Sequence, residues 1–274
     1  MMRSDHKKAA GLVLGILFAT GLMPRLFSLS SAEDPSLISL LDAVARKIDS
    51  YPDLDRWEAV TVTTRTRMDK SWAPEKITRI RKSVHVEGQD REEKVLEATE
   101  IEKGVTRDIT DKTVKAYEER ARKEREERAS RKSPKAGDGG RRTITLMKKD
   151  FAPFGPGERS GYDFKRLEDA VVDGIPAFVI ETRAKVRKPE NIEGRYFFAR
   201  DTLDILKVDL QPSKNPMFVK QVEMEVEFLP YQGSLAMKRT KVKVYAGFLF
   251  KTIRLVIEEE YSDFRFLPAL AGSI

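Results

Sequence analysis

Around residues 219–228 hydrophobic and polar positions alternate strictly. Val222, Met224, Val226 and Phe228 share one parity, and Gln221, Glu223, Glu225 and Glu227 share the other. A period of two is that of a β-strand with one face buried and one face wet. The same alternation recurs at 205–210, where Leu206, Val208 and Leu210 oppose Lys207 and Asp209. This second stretch belongs to a pair of strand units within 161–210. In the first unit a strand at 162–167 stops near Asp173-Gly174, and Pro176 opens a strand at 177–182. In the second, a strand at 195–200 stops at Asp201-Thr202-Leu203-Asp204 before 205–210 returns.

The flanking regions extend the meander. Residues 57–68 are rich in Thr and Val, and 76–86 carries Ile80, Val84 and Val86. The Glu-rich stretch 91–101 is compatible with a helix, but Glu87-Gly88 and Lys103-Gly104 frame it as a strand. Lys241 and Lys243 on 235–245 suit cross-strand pairing with the Glu face of 219–228. An apolar tip at 246–250 leads into a last strand at 251–261, followed by Phe264 and Phe266. The pattern predicts a mainly β (α+β) chain built on a large antiparallel sheet with one apolar face.

Helical periodicity is confined to two places. Asp34-Pro35 is an acidic cap followed by proline at the first helical position. Ile38, Leu41, Ala45 and Ile48 then recur at helical spacing until Tyr51-Pro52. Residues 111–142 are almost wholly polar. Glu118–Arg122, Glu119–Lys123, Glu124–Arg128 and Glu127–Arg131 are i,i+4 pairs worth about 0.3 kcal/mol each. They predict a solvated helix, with 133–142 as a flexible linker. This insertion is read as a surface addition, the competing reading being a mobile lid or partner arm.

The first 32 residues have the form of a secretory leader. Arg3, Lys7 and Lys8 precede an uncharged apolar run at 9–23, and Ser30-Ser31-Ala32 supplies small residues before Glu33. The run is short for a full membrane span, which favours a cleaved signal over an inner-membrane anchor. The expected organisation is a leader at 1–32, one β domain at 33–268 and a flexible tail at 269–274.

Composition removes several kinds of chemistry. The chain has no cysteine, which excludes disulfides, thiolate nucleophiles and Cys-ligated zinc. It has two histidines, His6 in the leader and His85, too few for a multi-His metal site. Of the formal charge of +7, the leader carries +3 (Arg3, Lys7, Lys8 and Arg25 against Asp5) and the remainder +4. Acids and bases are mixed, no nucleic-acid reader motif accompanies them, and no nucleic-acid partner is expected. His85, between Val84 and Val86, is expected on the polar face. The Glu223, Glu225 and Glu227 carboxylates read as a solvated row paired to Lys241 and Lys243. Gly155-Pro-Gly157 is too short to cradle a phosphate. No cofactor, metal or catalytic residue is expected. Trp57, Phe178, Met224, Phe228, Phe248 and Phe250 are the apolar-face residues that either fill the core or line a lipid cavity.

Two motifs carry a resemblance. Gly161, Phe164, Gly174, Pro176, Ala177 and Ile180 match G-x-x-F…G-x-P-A-x-x-I, and Tyr196 to Leu210 match Y-F-F…D-T-L-D-x-L-K-V-D. With the leader, the first helix and the meander, they resemble the exported lipoprotein-sorting proteins of the LolA/LolB type. The resemblance implies a large curved sheet forming an unclosed half-barrel, with a few helices covering its concave face. It implies non-catalytic binding of lipoprotein acyl chains or other lipid in the periplasm. An inner-membrane donor and an outer-membrane acceptor would be the partners. The missing cysteine departs from the membrane-anchored branch and leaves the soluble carrier. The charged insertion is longer and more polar than a cavity-plugging helix. The alternative is a structural or interaction module of an envelope complex with no lipid cargo.

Overall fold

Period-two alternation in a long chain can bury its apolar parity only by pairing strand against strand. The computed structural model describes residues 35–52, 56–88, 90–130, 153–231, 233–248 and 251–267. The leader, the linker at 133–142, Phe250 and the tail at 269–274 lie outside the described residues. The chain starts with helix α1 (Pro35–Ser50). Strands β1 (Arg56–Met68), β2 (Pro74–Glu87), β3 (Asp90–Glu102) and β4 (Val105–Asp108) then lead to helix α2 (Thr110–Ser130). A 3-10 turn (Arg159–Gly161) precedes β5 (Tyr162–Arg166), β6 (Ala170–Val172), β7 (Ile175–Ala184), β8 (Ile192–Ala199) and β9 (Ile205–Pro212). β10 (Val219–Tyr231), β11 (Ser234–Phe248) and β12 (Lys251–Phe266) complete it. Asp173 and Gly174, at φ of 50° and 81°, form the tight turn between β6 and β7. Two consecutive positive φ values match the twist of a hairpin. Among the described residues no helix is long and apolar enough to cross a membrane.

Among the described residues all strand pairs are antiparallel and make one unclosed 12-stranded sheet, in the order β4-β3-β2-β1-β12-β11-β10-β9-β8-β7-β5, with β6 beside β7. The Glu-rich stretch 91–101 is strand, paired along its length with β2. The last strand runs on through Phe264 and Phe266 and lies in the middle of the sheet, between β1 and β11. It joins the N-terminal meander to the C-terminal one.

The register gives the sheet two consistent faces. One crosswise row runs through Ala98, Ile80, Thr63, Glu259, Thr240, Val226, Val208, Tyr196 and Ile180. Directly opposed residues point the same way, so this row and those in phase with it define the inner face, which bears both helices. α1 lays Leu37, Leu41, Val44, Ala45 and Ile48 on that face over β7 to β10. There they meet Phe178, Ile180, Tyr196, Phe198, Val208, Val226 and Phe228. Phe154, from the connection before the 3-10 turn, inserts edge-on against Tyr196 and Phe198, with centroids 4.8 and 5.4 Å apart. Each such pair contributes roughly 0.5–1.5 kcal/mol beyond area burial.

Polar clamps fix α1. Lys47 Nζ lies 2.9 Å from Asp204 Oδ1, to which the Tyr51 hydroxyl also donates at 2.9 Å. The Tyr51 oxygen accepts from the Ile205 N–H at 3.4 Å. Burial first, then the hydrogen bond to Asp204 and its charge, pushes the Tyr51 phenol well above its usual range and keeps it a donor. At the other end Arg159 binds Asp42 at 2.7 Å and the Phe154 carbonyl at 3.2 Å. Asp204, the second acid of the D-T-L-D turn, is thus the residue that seats the helix.

The opposite, outer face is polar apart from a small apolar cluster of Ala177, Ala199 and Leu206 with Val172 and Phe197. Glu225 pairs with Lys207 at 2.6 Å, Arg239 bridges Glu225 and Glu227, and Lys243 approaches Glu223 at 3.8 Å. The carboxylate row is a paired, solvated face as expected, although Lys241 turns to Glu258 instead. His85 opposes Glu58 on this face, and its Nε2 is 3.9 Å from Glu87.

Candidate functional site

The two helices leave the middle of the inner face between them. α1 packs over β7 to β10, with Met224 of β10 and Leu235 and Met237 of β11 at the margin, so that Met224 bounds both the core and the open strip. α2 sits at the other side, where the Ala98 N–H donates to Thr110 at 3.0 Å and the Tyr117 ring lies 5.8 Å from Lys82 Nζ. Between them, two rows of the register run through Ile257, Val242 and Met224, and through Leu255, Val244 and Val222. All six side chains are half-buried. They form a continuous apolar strip across β12, β11 and β10. At its β1 side the strip meets Arg65 and Arg67, directly opposite Ile257 and Leu255. Arg67 is held by Glu75 at 2.9 Å and Glu102 at 3.8 Å, while Lys76 holds Glu100 at 2.7 Å. The result is an apolar trough with a charged rim. It can accept a hydrocarbon along its length, each buried CH₂ contributing about 0.8 kcal/mol.

One register step towards the start of β1 the same face becomes ionic. Lys82, 5% exposed, lies 3.0 Å from Glu93 and 3.6 Å from Glu259. Arg91 binds Glu93 at 2.7 Å, while the Thr63 and Tyr261 hydroxyls donate to Glu259 at 3.1 and 2.9 Å. Burial alone would raise the Glu93 carboxyl, but Lys82 and Arg91 outweigh it and hold it below the usual carboxylate range. Burial and then Glu259 keep Tyr261 protonated well above its usual range. Two cations and two anions balance, so the cluster offers no net charge to a ligand; it closes the trough at that end. Beyond it Trp57 stacks on Phe264 at 5.1 Å, with Val84, Val86 and Phe266. Sequence reading passed over Lys82, Glu93 and Glu259. The available signal was parity, since Lys82 falls in phase with Ile80 and Val84.

The four sequence candidates whose side chains are described scatter over this face. Phe178 and Phe228, 7% and 6% exposed, belong to the core beneath α1. Trp57, 5% exposed, belongs to the separate aromatic cluster past the ionic group. Met224 lies in the trough itself. Phe248 ends β11, its side chain outside the described residues, as is Phe250. The trough therefore brings Met224 together with five aliphatic residues that sequence reading did not single out. Among the described residues no group of three or more His, Asp or Glu is placed to hold a metal. On the outer face a depression of about 160 Å³ is lined by Val62, Arg79, Arg81, Glu97 and Thr99.

No family model and no curated sequence matches the chain. Among solved structures it is similar to a DUF1329 family protein from Desulfovibrio piger, at 12% identity and TM-score 0.38, covering 86% of this chain and 95% of that one. It is similar to a LolA superfamily protein from Nitrosomonas europaea, at 12% identity and TM-score 0.37, covering 84% and 94%. A third is a putative outer membrane lipoprotein-sorting protein domain from Vibrio parahaemolyticus, at 11% identity and TM-score 0.37, covering 85% and 94%.

Proposed function

We propose that this protein is a non-catalytic binder of acyl chains, taking a lipid or a lipid-modified protein into the trough of its inner face. The observation that supports the reading is the strip of Val222, Met224, Val242, Val244, Leu255 and Ile257, half-exposed beside a face that α1 otherwise packs. A folded chain gains by covering such a strip, and hydrocarbon covers it without requiring any polar motif. The leader-like first 32 residues support a role outside the cytoplasm, in the periplasm of a two-membrane host. Lipoprotein sorting is the role that fits both features.

The test is displacement of a fluorescent fatty acid. Val242→Glu puts a carboxylate in the middle of the trough and is expected to weaken binding at least about tenfold, since a buried unpaired charge costs several kcal/mol. Arg79→Glu, on the outer face, should leave binding unchanged. No displacement by the folded parent would refute the reading in favour of a module without lipid cargo, and equal binding by parent and Val242→Glu, both folded by circular dichroism, would move the lipid off the trough.

A further inference from the structure

The end of the sheet at which the trough opens has the makeup of a membrane-docking surface. Three connections converge there. Val219 opposes Ala246, Ala246 opposes Ile253, and the Gly247 N–H donates to the Phe218 carbonyl at 2.8 Å. Met68 opposes Arg254, which brings the β1–β2 turn to the same end and sets the Trp72 ring 6.3 Å from that of Tyr245. Met217 is 80% exposed, Ile253 57% and Phe218 53%. Phe218 takes a left-handed backbone, φ 67°, that side chains disfavour, in a turn fixed by the Asn215 amide donating to the Lys220 carbonyl at 2.7 Å.

On the outer face beside this apolar tip stands a cluster of aromatics and cations. Lys243 lies 4.5 Å from the Trp72 ring, and Arg254 and Lys220 lie 4.6 and 4.9 Å from the Tyr245 ring. Residues 213–222 and 243–254 hold five cations (Lys214, Lys220, Lys243, Lys251 and Arg254) and no acid. The neighbouring carboxylates are Glu223, 3.8 Å from Lys243, and Asp69 of the β1–β2 turn, which feels the Arg254 charge and is followed by Lys70. Exposed apolar side chains at one end of the sheet, with amphipathic rings and cations beside them, match what an anionic lipid leaflet offers: hydrocarbon, interface and headgroup.

We infer that this end of the sheet docks on the surface of an anionic bilayer, with Met217 and Ile253 entering the interface and Trp72 and Tyr245 at headgroup level. The inference stands on exposure and charge, independently of what the trough carries. The two are nonetheless continuous, because the Ala246–Ile253 pair is the next inner-face step after Val244–Leu255. An acyl chain leaving the leaflet would enter the trough without crossing polar surface.

The test uses the full chain with Trp57→Phe, which leaves Trp72 as sole tryptophan, and vesicles of phosphatidylglycerol and phosphatidylcholine containing brominated lipid. Trp72 fluorescence is expected to be quenched on anionic vesicles and spared on pure phosphatidylcholine. Met217→Glu/Ile253→Glu should weaken the quenching at least about tenfold. A Trp72 that stays unquenched, or a double variant quenched as strongly as its parent, overturns the docking surface. So does a concentration-dependent dimer, seen by sedimentation and lost in the double variant, which would assign the tip to a second copy of the chain. Fatty-acid displacement from the trough is read separately, so either proposal can fail without the other.

Discussion

Gly194→Ala is expected to cost about 3–5 kcal/mol and to leave little folded protein at 37 °C. Gly194 lies in β8 with φ 155°, and a Cβ built there falls 2.0 Å from the Asp209 carbonyl oxygen and 3.0 Å from the Leu210 Cα. Both obstacles are backbone of β9, so no side-chain rotation relieves them. Separating the strands would break the β8–β9 ladder opposite Leu210 and loosen the aromatic row of Tyr196 and Phe198 that α1 covers. Thr182, which exchanges hydrogen bonds with Gly194 at 3.3 and 3.4 Å, would lose its partner as well. Urea denaturation followed by far-UV circular dichroism measures the loss. Wild-type stability in Gly194→Ala would show that β8 and β9 do not approach this closely.

The second large effect is at Lys82. Lys82→Met removes the cation shared by Glu93 and Glu259 at a site 5% exposed. Breaking a buried pair from one side typically costs about 3–5 kcal/mol, because the surviving charge stays buried. Arg91 still holds Glu93, so the lower end of that range is expected. The pH dependence follows from Glu93. Its folded pKa is depressed, so its contribution is fully present above the unfolded carboxylate value of about 4.3 and is lost as pH falls through the lower folded value. Glu93→Gln should therefore lower stability at neutral pH and flatten the acid limb below about pH 4. Denaturant midpoints at pH 7 and pH 3 check both. An equal drop at both pH values would deny the ion pair its role.

Much of the fold was legible because strands with one wet face must alternate. The row at 219–228 and the pair Val208 and Leu210 follow the inward parity, but a register shift in the β8–β9 ladder turns Ile205 inward and sends Leu206 to the opposite face with Ala177 and Ala199, against the expected grouping of Leu206 with Val208. Asp173-Gly174 and the D-T-L-D turn were legible as turns. The role of Asp204 in seating α1 was not, since it depends on Lys47 and Tyr51, more than 150 residues away. Nor was the central position of β12. Alternation identifies a strand but not its neighbours, and pairing with β1 spans most of the chain.

The site was less legible for a related reason. Aromatic residues drew attention because they carry the most apolar area, and area favours the core. Phe178 and Phe228 accordingly pack beneath α1, while the open trough is lined by Val, Leu, Ile and one Met. Ordinary strand residues give no local sign of which are covered; only the placement of α1 decides it. Lys82 is the opposite case, a charge at inward parity between Ile80 and Val84. Such a break in pattern is legible once the face is known to be buried.

The most direct test of the central claim is photo-crosslinking with a fatty acid bearing a diazirine in its acyl chain, mapped by peptide mass spectrometry. The account predicts adducts on Val222, Met224, Val242, Val244, Leu255 and Ile257, suppressed by excess unlabelled fatty acid. Adducts confined to outer-face residues, or none above the level of a non-binding control protein, would contradict it.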